Sequence, residues 1–300
     1  KIGLMQRNTM REAISAHHVG GIVRMTGFIL KTTLCIEFMG AALMAPVFCK
    51  DFGFFKGVWY AIFHSVSAFC NAGFDLLGVR GEFSSITTYA SQPIINITIM
   101  ALIVTGGIGF LTWEDIKTNK LHIKKYRMQS KVILTVTSFL ILLPAAYFFF
   151  VEFSQAQWSD LSLYEKILAS LFQSVTPRTA GFNSVDLTLF TEAGIMIMIM
   201  LMLTGGSPGS TAGGMKTTTV AVLFASTASV FRRRENAQIF HRRISEGTVN
   251  NAATILLMYV VLFLTGGIII SCIENIPILT CLFETASAIG TVGLTLGITK

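Results

Sequence analysis

The chain of 300 residues is 52% hydrophobic and only 13% charged, with a formal net charge of +7 and a mean hydropathy of +0.65. Soluble domains carry about 25% charged residues, so this chain cannot cover itself with a wetted surface, and a soluble globular protein is excluded. It reads as an all-α integral membrane protein with room for about six spanning helices of ~20 residues each.

Residues 1–24 form a first basic segment, with Lys1, Arg7, Arg11 and Arg24. No signal peptide with an apolar core and a small-residue cleavage site opens the chain, which reads as a piece of something longer. The stretch 25–112 is a helix–pore loop–helix unit. It has an apolar run at 25–46, the half-apolar "GVWYAIFHSVSAF", the turn Asn71-Ala72-Gly73-Phe74 and a second run at 93–111. A second basic segment, 113–131, carries Lys117, Lys120, Lys124, Lys125, Arg127 and Lys131. The unit recurs over 132–230: a run at 132–151, the short "YEKILASLFQSV", the turn Thr179-Ala180-Gly181-Phe182 and a run at 189–203. That last run dissolves into "TGGSPGSTAGGMK" and resumes at 220–230. A third basic segment, 231–249, holds Arg232, Arg233, Arg234, Arg242 and Arg243. Residues 250–300 supply a run at 252–272, the short "PILTCLFETASAI" and the turn Thr291-Val292-Gly293-Leu294.

The turn glycines lie 108 and 112 residues apart, a period too long for a solenoid, so they mark a duplicated unit. The short segments cannot cross about 30 Å of hydrocarbon as helices and read as re-entrant. Fifteen of the 23 basic residues sit in the three basic segments, which places those loops in the cytoplasm and the glycine turns on the outer side of a multi-pass cell-membrane protein. Charge so placed serves topology and contact with membrane lipid; no nucleic-acid partner is expected. Cys35, Cys49, Cys70, Cys272 and Cys281 fall mostly in apolar runs without a C-x-x-C pair, so neither a disulfide frame nor a transition-metal site is expected.

Irregular backbone at membrane depth survives only when buried in protein or lining a water-filled cavity. Glycine reaches φ values that turn successive carbonyls toward one axis, and rings of carbonyls replace the hydration shell of a permeating cation. Three such turns in register, each behind a short helix, point to a pore. The stretch 203–220 fits two other machines poorly. As a phosphate loop it has Met215 between Gly214 and Lys216, where G-x-x-x-x-G-K-[ST] requires lysine directly. As a nucleophile elbow, "GGSPG" centres on Ser207 but puts Pro208, which lacks an N–H, where an oxyanion donor belongs. As an ion gate it would lie well below the turns, under a helix of 15 residues (about 22 Å), with Lys216 lending a charge near the cation path. The bland alternative is a kinked helix with Lys216 snorkelling to the surface. Glu37 is an ionisable group in a spanning run, functional or structurally paired. Arg178 either tunes cation access or braces its turn, and His64, His17 and His18 show no ligand spacing.

Together "SVSAFCNAGFD", "QSVTPRTAGF", "TGGIGFLTWEDI", "TGGSPGSTAGGMK" and "ASAIGTVGLT" resemble the Trk/Ktr/HKT superfamily of cation transporters, nearest to its bacterial Ktr potassium-uptake branch. The resemblance spans nearly the whole chain. It implies repeats around a pseudo-fourfold ion pore, of which this chain would carry the second, the third and most of the fourth. It also implies a selectivity filter of Asn71, Ala72, Gly73, Thr179, Ala180, Gly181, Thr291, Val292 and Gly293, with Asn71 departing from the threonine of the other two turns. A gating loop is implied at Gly205, Gly206, Ser207, Pro208, Gly209, Ser210, Thr211, Ala212, Gly213, Gly214 and Lys216. The expected cargo is K+, with possible activation by Na+ and no cofactor. The expected partners are a second copy in a homodimer and a cytosolic nucleotide-binding regulatory ring like KtrA. A sodium-selective or poorly selective relative is the alternative, and a membrane-embedded enzyme or pump subunit is the alternative of another class.

Overall fold

The computed structural model describes residues 22–81, 84–234 and 236–298. Most of the first basic segment, with His17 and His18, lies outside them. The fold is all-helical apart from one small hairpin, and its units follow one another as three variations on a theme.

The first unit begins with α1 (Ile22–Phe52), which continues through Pro46. It reverses into the short α2 (Phe54–Phe69), whose C-terminal end delivers the turn at Asn71. The chain returns in α3 (Pro93–Gly107) and α4 (Phe110–Asn119). The apolar run at 93–111 is therefore two helices and not one, meeting at an angle of 97°. Gly109 makes the elbow: its φ of +89° is left-handed, and a side chain there would disfavour the sharp change of direction. The Trp113 indole N–H spans the elbow to the Thr105 carbonyl at 2.9 Å.

The second unit opens with α5 (Met128–Tyr147), which runs on through a π-helical turn at Phe148–Glu152. The short α6 (Leu163–Val175) starts with a capping box: the Glu165 N–H donates to Ser162 Oγ, while the Ser162 N–H and hydroxyl donate to Glu165 Oε2 at 2.9 and 2.8 Å. These donors hold the Glu165 carboxyl below its ordinary range, the Ser162 backbone first. After its turn the chain enters α7 (Glu192–Leu203). This helix has 12 residues, about 18 Å, rather than the 15 predicted, because Asp186 accepts the Thr188 N–H in a local turn and Thr191 becomes the N-cap. The buried Glu152 carboxylate accepts the Thr191 N–H and hydroxyl at 3.0 and 2.6 Å, fastening the end of α5 to the start of α7. An irregular loop leads to α8 (Thr217–Phe231).

The third basic segment contains a two-stranded hairpin, β1 (Gln238–Ile239) with β2 (Arg242–Arg243). Phe240 and His241 both have positive φ, which makes this a primed two-residue turn without the usual glycine. The last unit holds α9 (Glu246–Glu274) and the short α10 (Ile278–Ile289).

Among the described residues α1, the α5 span Met128–Glu152 and α9 are long and apolar enough to cross a membrane, and the bent α3–α4 pair is a fourth candidate. Two apolar cores hold the units together. Phe48, Phe69, Ile95, Ile99, Phe172 and Phe182 bind α1–α3 to α6, while Phe148, Phe190, Met198, Met202 and Phe283 bind α5, α7 and α10. On α9, Leu257, Val261, Ile268 and Ile273 are exposed, as suits a helix facing lipid.

Candidate ion pathway

α2, α6 and α10 present their turns to one another. In each, the first and third residues have left-handed φ: Asn71 +52° and Gly73 +71°, Thr179 +66° and Gly181 +79°, Thr291 +55° and Gly293 +89°. The middle residue of each turn is absent from the positive-φ set. Alternating hand along a short stretch swings successive carbonyls to the same side. The turns are also neighbours in sequence order. A Cβ on Gly73 would lie 2.2 Å from Ala180 O, and one on Gly181 would lie 2.2 Å from Val292 O. The second turn is thus to the first as the third is to the second, which is what rotation about a common axis requires. Among the described residues, no hydrogen bond is donated to any backbone carbonyl of Asn71, Ala72, Gly73, Thr179, Ala180, Gly181, Thr291, Val292 or Gly293. Backbone carbonyls in protein are otherwise nearly always paired. Unpaired carbonyl oxygens on three adjoining turns are the kind of group that replaces the hydration shell of a desolvated cation.

Each short helix braces its turn in the same way. The N–H of the middle residue donates back to the helix end, Ala72 to Ser67 O at 2.9 Å, Ala180 to Thr176 O at 3.0 Å and Val292 to Ser287 O at 2.8 Å. The hydroxyls of Ser67 and Thr176 donate to Phe74 O and Phe182 O at 2.7 and 2.6 Å, and Ser287 Oγ accepts the Gly293 N–H at 3.1 Å. One helical turn earlier stand three side chains of unlike chemistry in equivalent places. His64 Nε2 accepts the Leu76 N–H at 3.4 Å, Gln173 Nε2 donates to Ser184 Oγ at 3.3 Å, and Glu284 Oε1 accepts from the Thr295 hydroxyl and the Leu296 N–H at 2.6 and 2.8 Å. All three reach the chain as it leaves the turn. Neither set stands out in the sequence, since a hydroxyl or amide inside an apolar helix has no signature until its partner is seen.

A cavity of about 300 Å³ opens on the third residues of the turns, bounded by Gly73, Gly181 and Gly293 and by Asp75 and Asp186. The loop between α7 and α8 meets the first residues instead. Its Thr211 hydroxyl lies 2.9 Å from Phe69 O and 3.1 Å from Asn71 Oδ1. A Cβ on Gly213 would fall within 1.9 Å of Thr291 Oγ1, and one on Gly214 would stand 3.3 Å from Thr179 Cγ2. The loop therefore sits directly against the turns and not well below them. The shorter α7 ends beside α10, where a Cβ on Gly290 would lie 2.4 Å from Met202 O, and this carries the loop up to the third turn.

The loop closes on itself and on the α3–α4 elbow. Thr204 and Met215 form a parallel bridge; Gly205 N–H donates to Met215 O, Gly206 N–H to Gly213 O and Thr217 N–H to Gly206 O. Ser207 N–H donates to Gly107 O at 3.0 Å, Thr211 N–H to Gly106 O at 3.2 Å, and Phe110 N–H to Gly209 O at 2.7 Å. Within the candidate phosphate loop, the Thr211 and Thr217 N–H groups are thus turned to protein carbonyls and not toward a ligand. Ser207 is fully buried with its hydroxyl 3.1 Å from Thr217 Oγ1, no place for a nucleophile. The Lys216 ammonium donates to Ala212 O at 2.7 Å and lies 3.4 Å from Gly213 O, so it binds the loop rather than reaching for the surface. Arg178 is buried, with Nη2 3.4 Å from Thr137 Oγ1 on α5. Glu37 is half-buried on α1, and its backbone carbonyl accepts the Ser65 hydroxyl at 2.6 Å; neither it nor His64 is brought to the cavity.

The family model for TrkH, described as a cation transport protein, matches residues 1–300. The chain belongs to the TrkH cation transport protein family. Within the family it is 37% identical over 303 residues to the potassium/sodium uptake protein NtpJ of Enterococcus hirae and 33% identical over 300 residues to the Ktr system potassium uptake protein B of Bacillus subtilis. Each match takes in 100% of this chain and 66% of the relative, so the chain spans just under two thirds of their length. The crystal structure of the potassium transporter TrkH from Vibrio parahaemolyticus has the same fold, with a TM-score of 0.75 at 17% identity over 97% of this chain and 60% of that one.

Proposed function

We propose that the protein conducts K+ across the cell membrane, down its electrochemical gradient and into the cell, through a pore lined by the three glycine turns. The observation that carries the reading is the set of nine turn carbonyls without a donor, held in rotational order by alternating backbone hand. A cation stripped of water finds in them the oxygens it has lost. Asp75 and Asp186 on the cavity raise the local cation concentration, and the loop from Thr204 to Lys216 is the barrier on the other face. The Lys/Arg-rich segments put the loop side toward the cytoplasm by the positive-inside rule. Control comes from a cytosolic nucleotide-binding ring, and the working assembly is a homodimer. NtpJ and the Bacillus relative are named for uptake of potassium and sodium or of potassium, which supports the cargo. The test is tracer rubidium uptake by the full-length protein in liposomes without ATP. Uptake that K+ suppresses at lower concentration than Na+ is expected. Equal suppression would make the pore a nonselective or sodium pathway, and a requirement for ATP would make it part of a pump.

A further inference from the structure

At position 71 the near-symmetry of the turns fails at their first residue, asparagine standing where the other two have threonine. The structure gives that departure a partner. The tip of the loop at Thr211 falls beneath the first turn, and the Thr211 hydroxyl lies within bonding distance of Phe69 O and Asn71 Oδ1. The amide's other end, Asn71 Nδ2, donates to Arg178 O at 3.4 Å, just ahead of the second turn. A carbonyl can only accept, so this bond fixes the amide orientation and leaves Oδ1 toward the loop. Among the described residues the loop makes no such bond at the other two turns, where Gly213 and Gly214 pass against the side chains of Thr291 and Thr179. Threonine at position 71 could not reach both the loop and the second turn. Its side chain carries a single oxygen, one bond nearer the backbone.

We infer that Asn71 and Thr211 form a latch that holds the loop against the ring of turns, with Asn71 as the positioning residue that ties loop closure to the first and second turns. The inference rests on the reading of the loop as a barrier. Asn71 is not needed for coordination by its side chain. It contributes a backbone carbonyl like its counterparts, and its amide is spent on the loop and the neighbouring turn. When the loop leaves, the Thr211 proton loses both acceptors at once. The latch is therefore all-or-none, and its strength is that of a neutral hydrogen bond in a dry site.

The test uses the full-length protein in liposomes, without any cytosolic partner, and reads rubidium flux and the K+ to Na+ preference. Asn71→Thr introduces the residue that already takes left-handed φ at 179 and 291, and Thr211→Val removes the hydroxyl at nearly constant volume. Thr211→Val should raise flux about fivefold, the effect of one neutral hydrogen bond on a closed-to-open ratio, and Asn71→Thr, which leaves the hydroxyl its bond to Phe69 O, should raise it by less. Thr211→Val should leave the K+ preference unchanged, Thr211→Ser should return flux to the parent level, and the double variant should match Thr211→Val alone. A deletion of residues 206–214 is run beside them. If the deletion raises flux while Asn71→Thr and Thr211→Val leave it at the parent value, the latch is overturned and the barrier stands. If the deletion leaves a folded protein with no more flux than the parent, the barrier reading fails and the latch with it. Loss of K+ preference in Asn71→Thr with flux at the parent value would assign the Asn71 side chain to the ring and overturn the latch. Should Asn71→Thr fail to fold, the Thr211 pair decides.

Discussion

Gly181 is hemmed in by the backbone of the third turn, and replacing it with serine tests the proposed basis of selectivity. Two costs arise together. At φ +79° a residue with a Cβ carries roughly 1–2 kcal/mol of left-handed strain. The new Cβ would also sit 2.2 Å from Val292 O, 3.3 Å from Val292 C and 3.5 Å from Gly73 Cα. Real contacts of this kind do not fall below 3.0 Å, so the second and third turns must part there by about 0.8 Å. Only backbone is in the way, and no flexible side chain can absorb the shift. A ring opened by that much no longer fits its oxygens around the larger ion better than around a smaller one that keeps some of its water. Loss of a differential of about 1.4 kcal/mol, within the range of the strain alone, lowers the K+ over Na+ preference about tenfold.

The assay is competition of K+ and Na+ against tracer rubidium in liposomes, with thermal unfolding measured on the same samples. Gly73→Ser, whose Cβ would meet Ala180 O at the same 2.2 Å, should behave alike. Gly247→Ser is the control, since no atom lies within 4 Å of that position. Full K+ preference and parent flux in both Gly73→Ser and Gly181→Ser would remove these carbonyls from the pathway.

Two further outcomes follow from the braces and caps. Glu284→Ala withdraws an acceptor from the half-buried Thr295 hydroxyl and Leu296 N–H; a lost hydrogen bond costs about 0.5–1.5 kcal/mol, so the melting temperature and K+ preference should both fall, and Glu284→Gln, which keeps an oxygen, should restore part of each. The Glu165 carboxyl is held below its ordinary value of 4.5 by Ser162, so its contribution to stability is complete above that value and is lost as pH falls through the lower, folded one; the melting temperature of Glu165→Gln should vary less with pH than the parent's over that acid window, and parallel curves would refute the capping role.

Much of the scaffold was readable along the chain because its periodicities are strong. The short helices end within a residue or so of where the half-apolar segments end, and the glycine turns follow at once. Three features hid for physical reasons. The α3–α4 elbow lies inside an unbroken apolar run, where composition cannot show that Gly109 takes a left-handed φ. The level of the loop depends on where α7 begins, and a side-chain bond from Asp186 to Thr188 three residues upstream of Thr191 moved that start. The braces His64, Gln173 and Glu284 share a place but not a chemistry, so no repeat of residue type could reveal them.

That last case explains how a single chain can present three near-symmetric turns from units of differing sequence. What rotation about the axis demands is carbonyl direction, and carbonyl direction is set by backbone hand at the first and third residues of each turn. The bracing position needs only some polar group able to reach the departing strand. An imidazole acceptor, an amide donor and a carboxylate acceptor each do so, because each meets a complementary backbone or hydroxyl partner. Side chains in the copies are thereby free to diverge wherever symmetry is irrelevant. The loop is the one irregular element that faces all three turns, and it comes from the second copy alone. Its tip can meet only one turn through Thr211, and that turn is the one whose first residue is not threonine. Under the proposed function, conduction asks the three copies to be alike and closure asks one of them to differ, and Asn71 is where the two demands meet.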